Sequence, residues 1–280
     1  MTTRIPGREA ISTKGRLKSF KWLLLRRVSQ LGILALFLVG PVAGIWIVKG
    51  SFSSSMTLGF LPLSDPLITL QSLLAGHSLG ATVLAGTLIV AVFYLLVGGR
   101  VYCSWACPIN MVTDAAAWLG RRLDLKKGGS FSSTARYWLL GFILLLAPLT
   151  GAIIWEWINP VTIFQRGLLF GIGLGWVLVA AIFLFDLLVL RRGWCGHLCP
   201  VGALYSLPGF FSVLRIRAAG RAQCTDCMDC YAVCPEPQVI RPALKGDESS
   251  TTAILSGNCT NCGRCIDICP HDVFQFSKRF

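Results

Sequence analysis

Charge is scarce in this chain: 14% of its 280 residues are Asp, Glu, Lys or Arg against 54% hydrophobic, whereas a soluble domain carries about a quarter charged residues. That excludes an ordinary water-soluble globule and points to membrane insertion. Acidic residues are the rarer sign, 13 against 26 basic, leaving a formal charge of +13. Nucleic-acid binding is not implied, because the basic residues flank apolar runs and are not interleaved with exposed aromatics. Histidine is down to three, His77, His197 and His271, and the apolar helices offer no obvious pair to ligate a haem. Cysteine is the exception to this poverty. Twelve cysteines fall in four tight clusters within basic segments, which are normally cytoplasmic and reducing, so they read as ligands or redox thiols and not as disulfides.

Four stretches are apolar over about the 20 residues that a bilayer core requires: roughly 28–48, 79–99, 137–155 and 170–190. The first follows a basic leader, as a signal peptide's core would, but it is too long and no small-residue cleavage site follows, so it reads as a retained helix. Residues 1–27 carry eight Lys or Arg against Glu9, and 100–136 carry six against Asp114 and Asp124. Both go to the cytoplasmic side, whereas 49–78 and 156–169, almost free of charge, go outside. Both termini are thereby cytoplasmic.

The two membrane halves are duplicated. GPVAGIW at 40–46 resembles APLTGAIIW at 147–155, DPLITLQ at 65–71 resembles NPVTIFQ at 159–165, and CSWACP at 103–108 returns as CGHLCP at 195–200. Each unit is a helix, an outer loop with a short Pro-initiated segment, a second helix and a C-x3-C-P pair. Units that begin and end on the same side are parallel repeats, which puts both pairs at the cytoplasmic surface. Pro108 and Pro200 suit the first turn of a helix. Four thiols, Cys103, Cys107, Cys195 and Cys199, then stand near one surface. They suit a further thiolate-bound centre, either a cluster or another soft metal ion, or else two redox-active dithiols.

CTDCMDCYAVCP, with Cys224, Cys227, Cys230 and Cys234, is repeated as CTNCGRCIDICP, with Cys259, Cys262, Cys265 and Cys269. In a C-x2-C-x2-C-x3-C-P run three thiolates wrap one cubane and the fourth, before proline, ligates the other cluster. One 4Fe-4S cluster is therefore assigned to Cys224, Cys227, Cys230 and Cys269, the other to Cys259, Cys262, Cys265 and Cys234. Structural zinc prefers two separated cysteine pairs to evenly spaced quartets ending in proline. The expected fold is a polytopic α-helical membrane protein, four transmembrane helices in two parallel hairpin repeats, with a C-terminal α+β bacterial-type two-cluster ferredoxin domain. The expected division is a basic leader 1–27, a membrane domain 28–215 and a cytoplasmic ferredoxin domain 216–280, with 235–258, including KGDESSTT, as a loop between its halves.

Four helices, two C-x3-C-P motifs and the two-cluster module together resemble the NapH family, over essentially the whole chain. Membership implies a quinol dehydrogenase component of the bacterial inner membrane, in nitrate respiration. Its electrons would pass from the membrane quinone pool through iron-sulfur centres toward a NapG-type periplasmic iron-sulfur protein, with a membrane-anchored multihaem cytochrome as a further partner. The core is similar also to NosR-type and FixG or RdxA-type proteins, whose extra flavin or periplasmic domains have no counterpart here; that likeness supplies the alternative of a thiol or copper-handling assembly factor. Quinol oxidation needs a proton acceptor at membrane depth, and the candidates are His77, Asp65 and Glu156 toward the outer side and Asp186 within the fourth helix.

Overall fold

A computed structural model describes residues 6–125, 129, 131–171, 173, 175–246 and 251–279. The chain forms two compact units: a helical unit of Gln30–Phe93 with Cys107–Leu204, and a second unit of Met1–Ser29, Tyr94–Ala106 and Tyr205–Phe280.

Helices occupy all four expected apolar runs, at Lys21–Ala43, Ala81–Val97, Ala135–Thr150 and Gly175–Leu184, the last continued by a π-helical turn over Phe185–Val189. Only the first, with 23 residues, is long and apolar enough by itself to cross a membrane among the described residues. At 1.5 Å per residue it reaches about 34 Å, while 17 residues reach about 26 Å, against a hydrocarbon core of about 30 Å. It begins at Lys21 and stops at Ala43 instead of covering 28–48, because Gly44 turns into the left-handed region at φ +74°. The duplicated motifs repeat this ending: Pro41 and Pro148 each sit in a last helical turn, and Gly44 and Gly151 follow three residues later with positive φ. Glycine pays no Cβ penalty there.

The outer segments start alike. Asp65 and Asn159 cap the helices Pro66–Leu74 and Pro160–Phe170, their side chains accepting the N–H of Leu67 at 2.8 Å and Val161 at 3.1 Å. Proline follows as the first helical residue, where its missing N–H costs nothing. Before these caps the copies differ. The first has a three-stranded antiparallel sheet of β1 (Val48–Gly50), β2 (Ser54–Thr57) and β3 (Leu61–Ser64), which the sequence did not announce; the second has the short helix Ile154–Ile158. The helical unit centres on Ile109, Val161, Val179 and Ile182.

In the second unit, β4 (Leu214–Arg217) pairs antiparallel with β5 (Gln275–Lys278), Leu214 opposite Lys278. Short helices follow each cysteine triplet, at Asp229–Val233 and Arg264–Ile268. The stretch expected as a loop over 235–258 instead contains the helix Ile240–Lys245, which buries Ile240, Ala243 and Leu244 in the same core as Ile216, Val273 and Phe274. Residues 247–250, the middle of the anticipated exposed loop, lie outside the described residues. The described part of the segment expected as a leader over 1–27, residues 6–27, is built into this unit. The Gly7 N–H donates to the Asp229 carboxylate at 2.9 Å, and the N–H groups of Trp22 and Leu23 donate to the Asp267 carboxylate at 3.1 and 2.9 Å.

Candidate functional site

Two cavities lie in the second unit, and each gathers one of the cysteine sets. Cys224, Cys227, Cys230 and Cys269 line one; Cys234, Cys259, Cys262 and Cys265 line the other. The exchange of the fourth residue has a backbone cause. Asp226 and Met228, and likewise Asn261 and Gly263, take positive φ between the first three cysteines, curling each triplet around one space. The short helix after each triplet then ends at an extended residue, Cys234 (φ −67°, ψ 135°) or Cys269 (φ −82°, ψ 120°), which carries the fourth thiol to the neighbouring cavity.

Burial opposes ionisation of these thiols. It pushes Cys230 up to about 12 and Cys259 up to about 12, and holds Cys265 well above the usual thiol range, with neighbouring thiolates adding to the effect at Cys230 and Cys265. Cys262 goes the other way: burial raises it, but the positive charges of Arg264 and Arg26, with hydrogen bonds from Thr260 and the Arg264 backbone, leave it lowered. Crowded thiols that resist ionisation become thiolates when cations take them as ligands. Among the described residues no three His, Cys, Asp or Glu converge closely enough for a single ion. A cubane asks for something else, four thiolates spread over separate irons. The donor sets fit two 4Fe-4S clusters, which when bound would each supply a one-electron acceptor.

The two cavities are clothed differently. Thr225, Asp226 and Met228 of the first run are exposed, whereas every residue from Thr260 to Cys265 is buried. The cover over the second run comes from distant parts of the same unit. Ser104 Oγ donates to the Thr260 carbonyl at 2.7 Å and Trp105 Nε1 to that of Asn261 at 3.1 Å; Asn261 Nδ2 in turn donates to the carbonyls of Val97 and Leu214. Arg100 pairs with Glu236 and donates to the Asn258 carbonyl. The Trp22 ring lies so close over Gly263 that a Cβ there would stand 2.5 Å from it. None of these partners was singled out from sequence; only Gly263, where a side chain would be blocked, carried a local signal.

The C-x3-C-P cysteines divide between the units, Cys103 in the second and Cys107, Cys195 and Cys199 in the helical unit. Both motifs lead into helices, Ile109–Arg122 after Pro108 and Pro200–Gly209. Cys195 sits in the π-helical turn Trp194–Leu198, 3.7 Å from the Thr113 hydroxyl. That turn is fastened by Asp186, whose fully buried carboxylate accepts the Trp194 N–H at 2.9 Å, and by Arg136, which donates to the Gly196 carbonyl. Arg192 forms an ion pair with Asp114 at 3.0 Å. The other proton candidates have separate surroundings. His77 is exposed with Nε2 3.2 Å from the Gly151 carbonyl, while Glu156 accepts the Ser53 hydroxyl at 2.6 Å and stands 3.5 Å from Arg166. Asp65 is pushed up to about 6, by burial first, opposed by the Leu67 N–H and aided by the negative charge of Glu156.

Family models agree with this layout. A "4Fe-4S binding domain" model matches twice, over residues 79–126 and 172–217, once for each C-x3-C-P repeat, and a "4Fe-4S dicluster domain" model matches 223–273. The chain is 52% identical over 271 residues to the methylamine utilization ferredoxin-type protein MauN of Methylorubrum extorquens, covering 97% of this chain and 94% of that one. To MauN of Paracoccus denitrificans it is 54% identical over 96% and 95% of the two chains. Against the ferredoxin-type protein NapH of Escherichia coli identity is 49% over 278 residues, 99% and 96% of the two. No solved structure matches the chain. Identity at this level over nearly the full length makes the chain a member of the NapH and MauN family of ferredoxin-type iron-sulfur electron-transfer proteins.

Proposed function

We propose that this chain is the quinol-oxidising electron-transfer subunit of a bacterial inner-membrane complex, with four membrane-spanning helices and both termini in the cytoplasm. The observation that carries the reading is the pair of four-thiol cavities in a chain whose helices alternate between basic and nearly uncharged connections. A quinol yields two electrons and two protons on oxidation, and two one-electron centres match that stoichiometry. Cys224, Cys227, Cys230 and Cys269 would hold one cluster and Cys259, Cys262, Cys265 and Cys234 the other. The repeat cysteines serve the same transfer as ligands or redox thiols, supported by the iron-sulfur family model that spans each pair. Protons would leave through one of His77, Asp186 and Glu156.

Relatives named NapH and relatives named for methylamine utilization are about equally similar. Both names share the words ferredoxin-type protein, which supports an electron-transfer subunit; its partners would be an iron-sulfur protein of the NapG kind and a membrane-anchored cytochrome. The test is anaerobic addition of a reduced quinol to the purified protein in lipid nanodiscs, followed by EPR. Reduced 4Fe-4S signals are expected. Signals that appear with dithionite and never with quinol, the complex complete, would refute the quinol reading. Reporter fusions between Lys49 and His77 should read periplasmic, and those at the C-terminus cytoplasmic.

A further inference from the structure

We infer that four buried arginines, Arg26, Arg100, Arg215 and Arg264, hold the centre bound by Cys234, Cys259, Cys262 and Cys265 at a higher reduction potential than its twin, so that the first electron to enter the chain rests there. The inference depends on the reading of the two cysteine sets as 4Fe-4S ligands.

The two runs have matching folds but opposite charges. Aligned residue by residue, Asp226 corresponds to Asn261 and Asp229 to Arg264. The four arginines are 1%, 1%, 2% and 8% exposed, and guanidinium stays protonated in proteins. Arg264 lines the cavity of the Cys234, Cys259, Cys262 and Cys265 set, and Arg100 and Arg215 donate to residues that line it. Arg264 lies between Cys262 and Cys265 and donates to the Val233 carbonyl, next to Cys234. Arg100 reaches the Asn258 carbonyl beside Cys259 and the Glu236 carboxylate two residues beyond Cys234. Arg215 donates to the carbonyls of Ile254 and Ser256, and its positive charge, like that of Arg100, acts on Cys259. Arg26 acts on Cys262 and on Asp267.

Charges of the other sign are present, Glu236 against Arg100 and Asp267 against Arg26, so four buried cations face two buried anions. Around Cys224, Cys227, Cys230 and Cys269 the balance is reversed. Asp229 is buried there, and Lys245 and Lys14 beside this run are each paired with an exposed carboxylate, Lys245 with Asp226 and Lys14 with Asp272. Reduction adds one electron and makes a cluster more negative, which fixed positive charge favours. Greater exposure of the first cavity works in the opposite direction, since water also stabilises the reduced form. Fixed charges prevail because the second run is buried throughout, where they are weakly screened.

The step is the transfer of one electron to the oxidised centre from the quinol of the proposed function, which is oxidised to quinone as its second electron passes to the other centre and its two protons leave to solvent. The centre itself takes up no proton. The experiment is an EPR-monitored potentiometric titration of the full-length protein in nanodiscs, the signals assigned through Cys262→Ser. Two midpoints are expected, the higher lost in Cys262→Ser. Arg264→Gln should lower that midpoint by at least the equivalent of a tenfold change in equilibrium, about 59 mV for one electron, and leave the other in place, while Arg264→Lys restores it. Asp229→Asn, which still accepts the Gly7 N–H, should raise the other midpoint and serves if Arg264→Gln fails to load iron. Unchanged midpoints in variants with full iron content, or a higher midpoint assigned to the Cys224 set, overturn the inference. Iron and sulfide far below about eight each in the unaltered protein would instead overturn the ligand reading beneath it.

Discussion

The two cysteine runs of the ferredoxin unit share twelve positions of pattern, left-handed residues at the same places and the same short helix, yet they face different worlds. One is open at Thr225, Asp226 and Met228, while the other is covered by Trp22, Arg100, Ser104 and Trp105 from segments far away in sequence. Cysteine spacing and local φ angles set the shape of a cluster-binding loop. Its solvation and field come from whatever else the chain brings to it. A duplicated motif can thus supply two centres with one geometry and two characters.

The largest effects should fall on the ligands, and they should be symmetric. Cys227→Ser and Cys262→Ser each are expected to lower iron from about eight to about four per chain, measured by iron and sulfide assay; a loss confined to one of them would break the equivalence of the runs.

Symmetry should fail one residue later. Met228 and Gly263 hold matching positions at φ +62° and +71°, but only Gly263 lies beneath the Trp22 ring. Gly263→Met should cost about 3 kcal/mol from overpacking and left-handed strain combined, whereas Met228→Gly should change stability by less than about 1 kcal/mol. Denaturant titration of the two variants decides the matter. Smaller again, Ser104→Ala removes one hydrogen bond from the second run, worth about 1 kcal/mol. Faster amide exchange at Thr260–Cys265 and unchanged exchange at Thr225–Cys230 should accompany it.

The smallest contrast belongs to the outer caps, Asp65 and Asn159, of which only the first titrates. Its folded-state value of about 6 lies above the ordinary 3.8, so the native protein binds the proton more tightly than the unfolded chain. Stability should therefore rise as pH falls from above 6 toward 3.8. Asp65→Asn should abolish that slope and stabilise the protein at neutral pH, read from melting temperature against pH.

Local signals were the legible ones. Helices lie where apolar runs are long, Asp65-Pro66 and Asn159-Pro160 mark helix starts, and the crossed cysteine sets follow from spacing alone. Boundaries suffered where packing or a single glycine decided, as at Gly44. The three-stranded sheet hid because its strands are only three or four residues long, and the apolar alternation of Phe52, Met56, Leu58 and Phe60 runs across strand and turn alike. The helix Ile240–Lys245 hid behind Pro242, which argues against helix in isolation. Arg26 and Arg100 were read with the other basic residues as topology signals, and a count of charges by side of the membrane cannot separate an arginine in water from one buried beside a thiolate. The leader escaped because its partners, Asp229 and Asp267, lie more than 200 residues away.

That last separation imposes an order on the life of the molecule. The unit that gathers the eight clustered thiols is stitched from segments at 1–29, 94–106 and 205–280, so no growing chain can close it before the β5 strand, Gln275–Lys278, has emerged. At about 5–20 residues per second the amino-terminal segments wait tens of seconds for Asp229 and Asp267 to emerge, while the apolar helices between them have already left the ribosome. On the proposed membrane reading, insertion into the lipid precedes closure, and iron delivery comes after both. A nonsense codon between Val189 and Cys269 would leave the four apolar helices and no complete pair of cluster sites, which makes loaded iron a report that translation has passed Cys269.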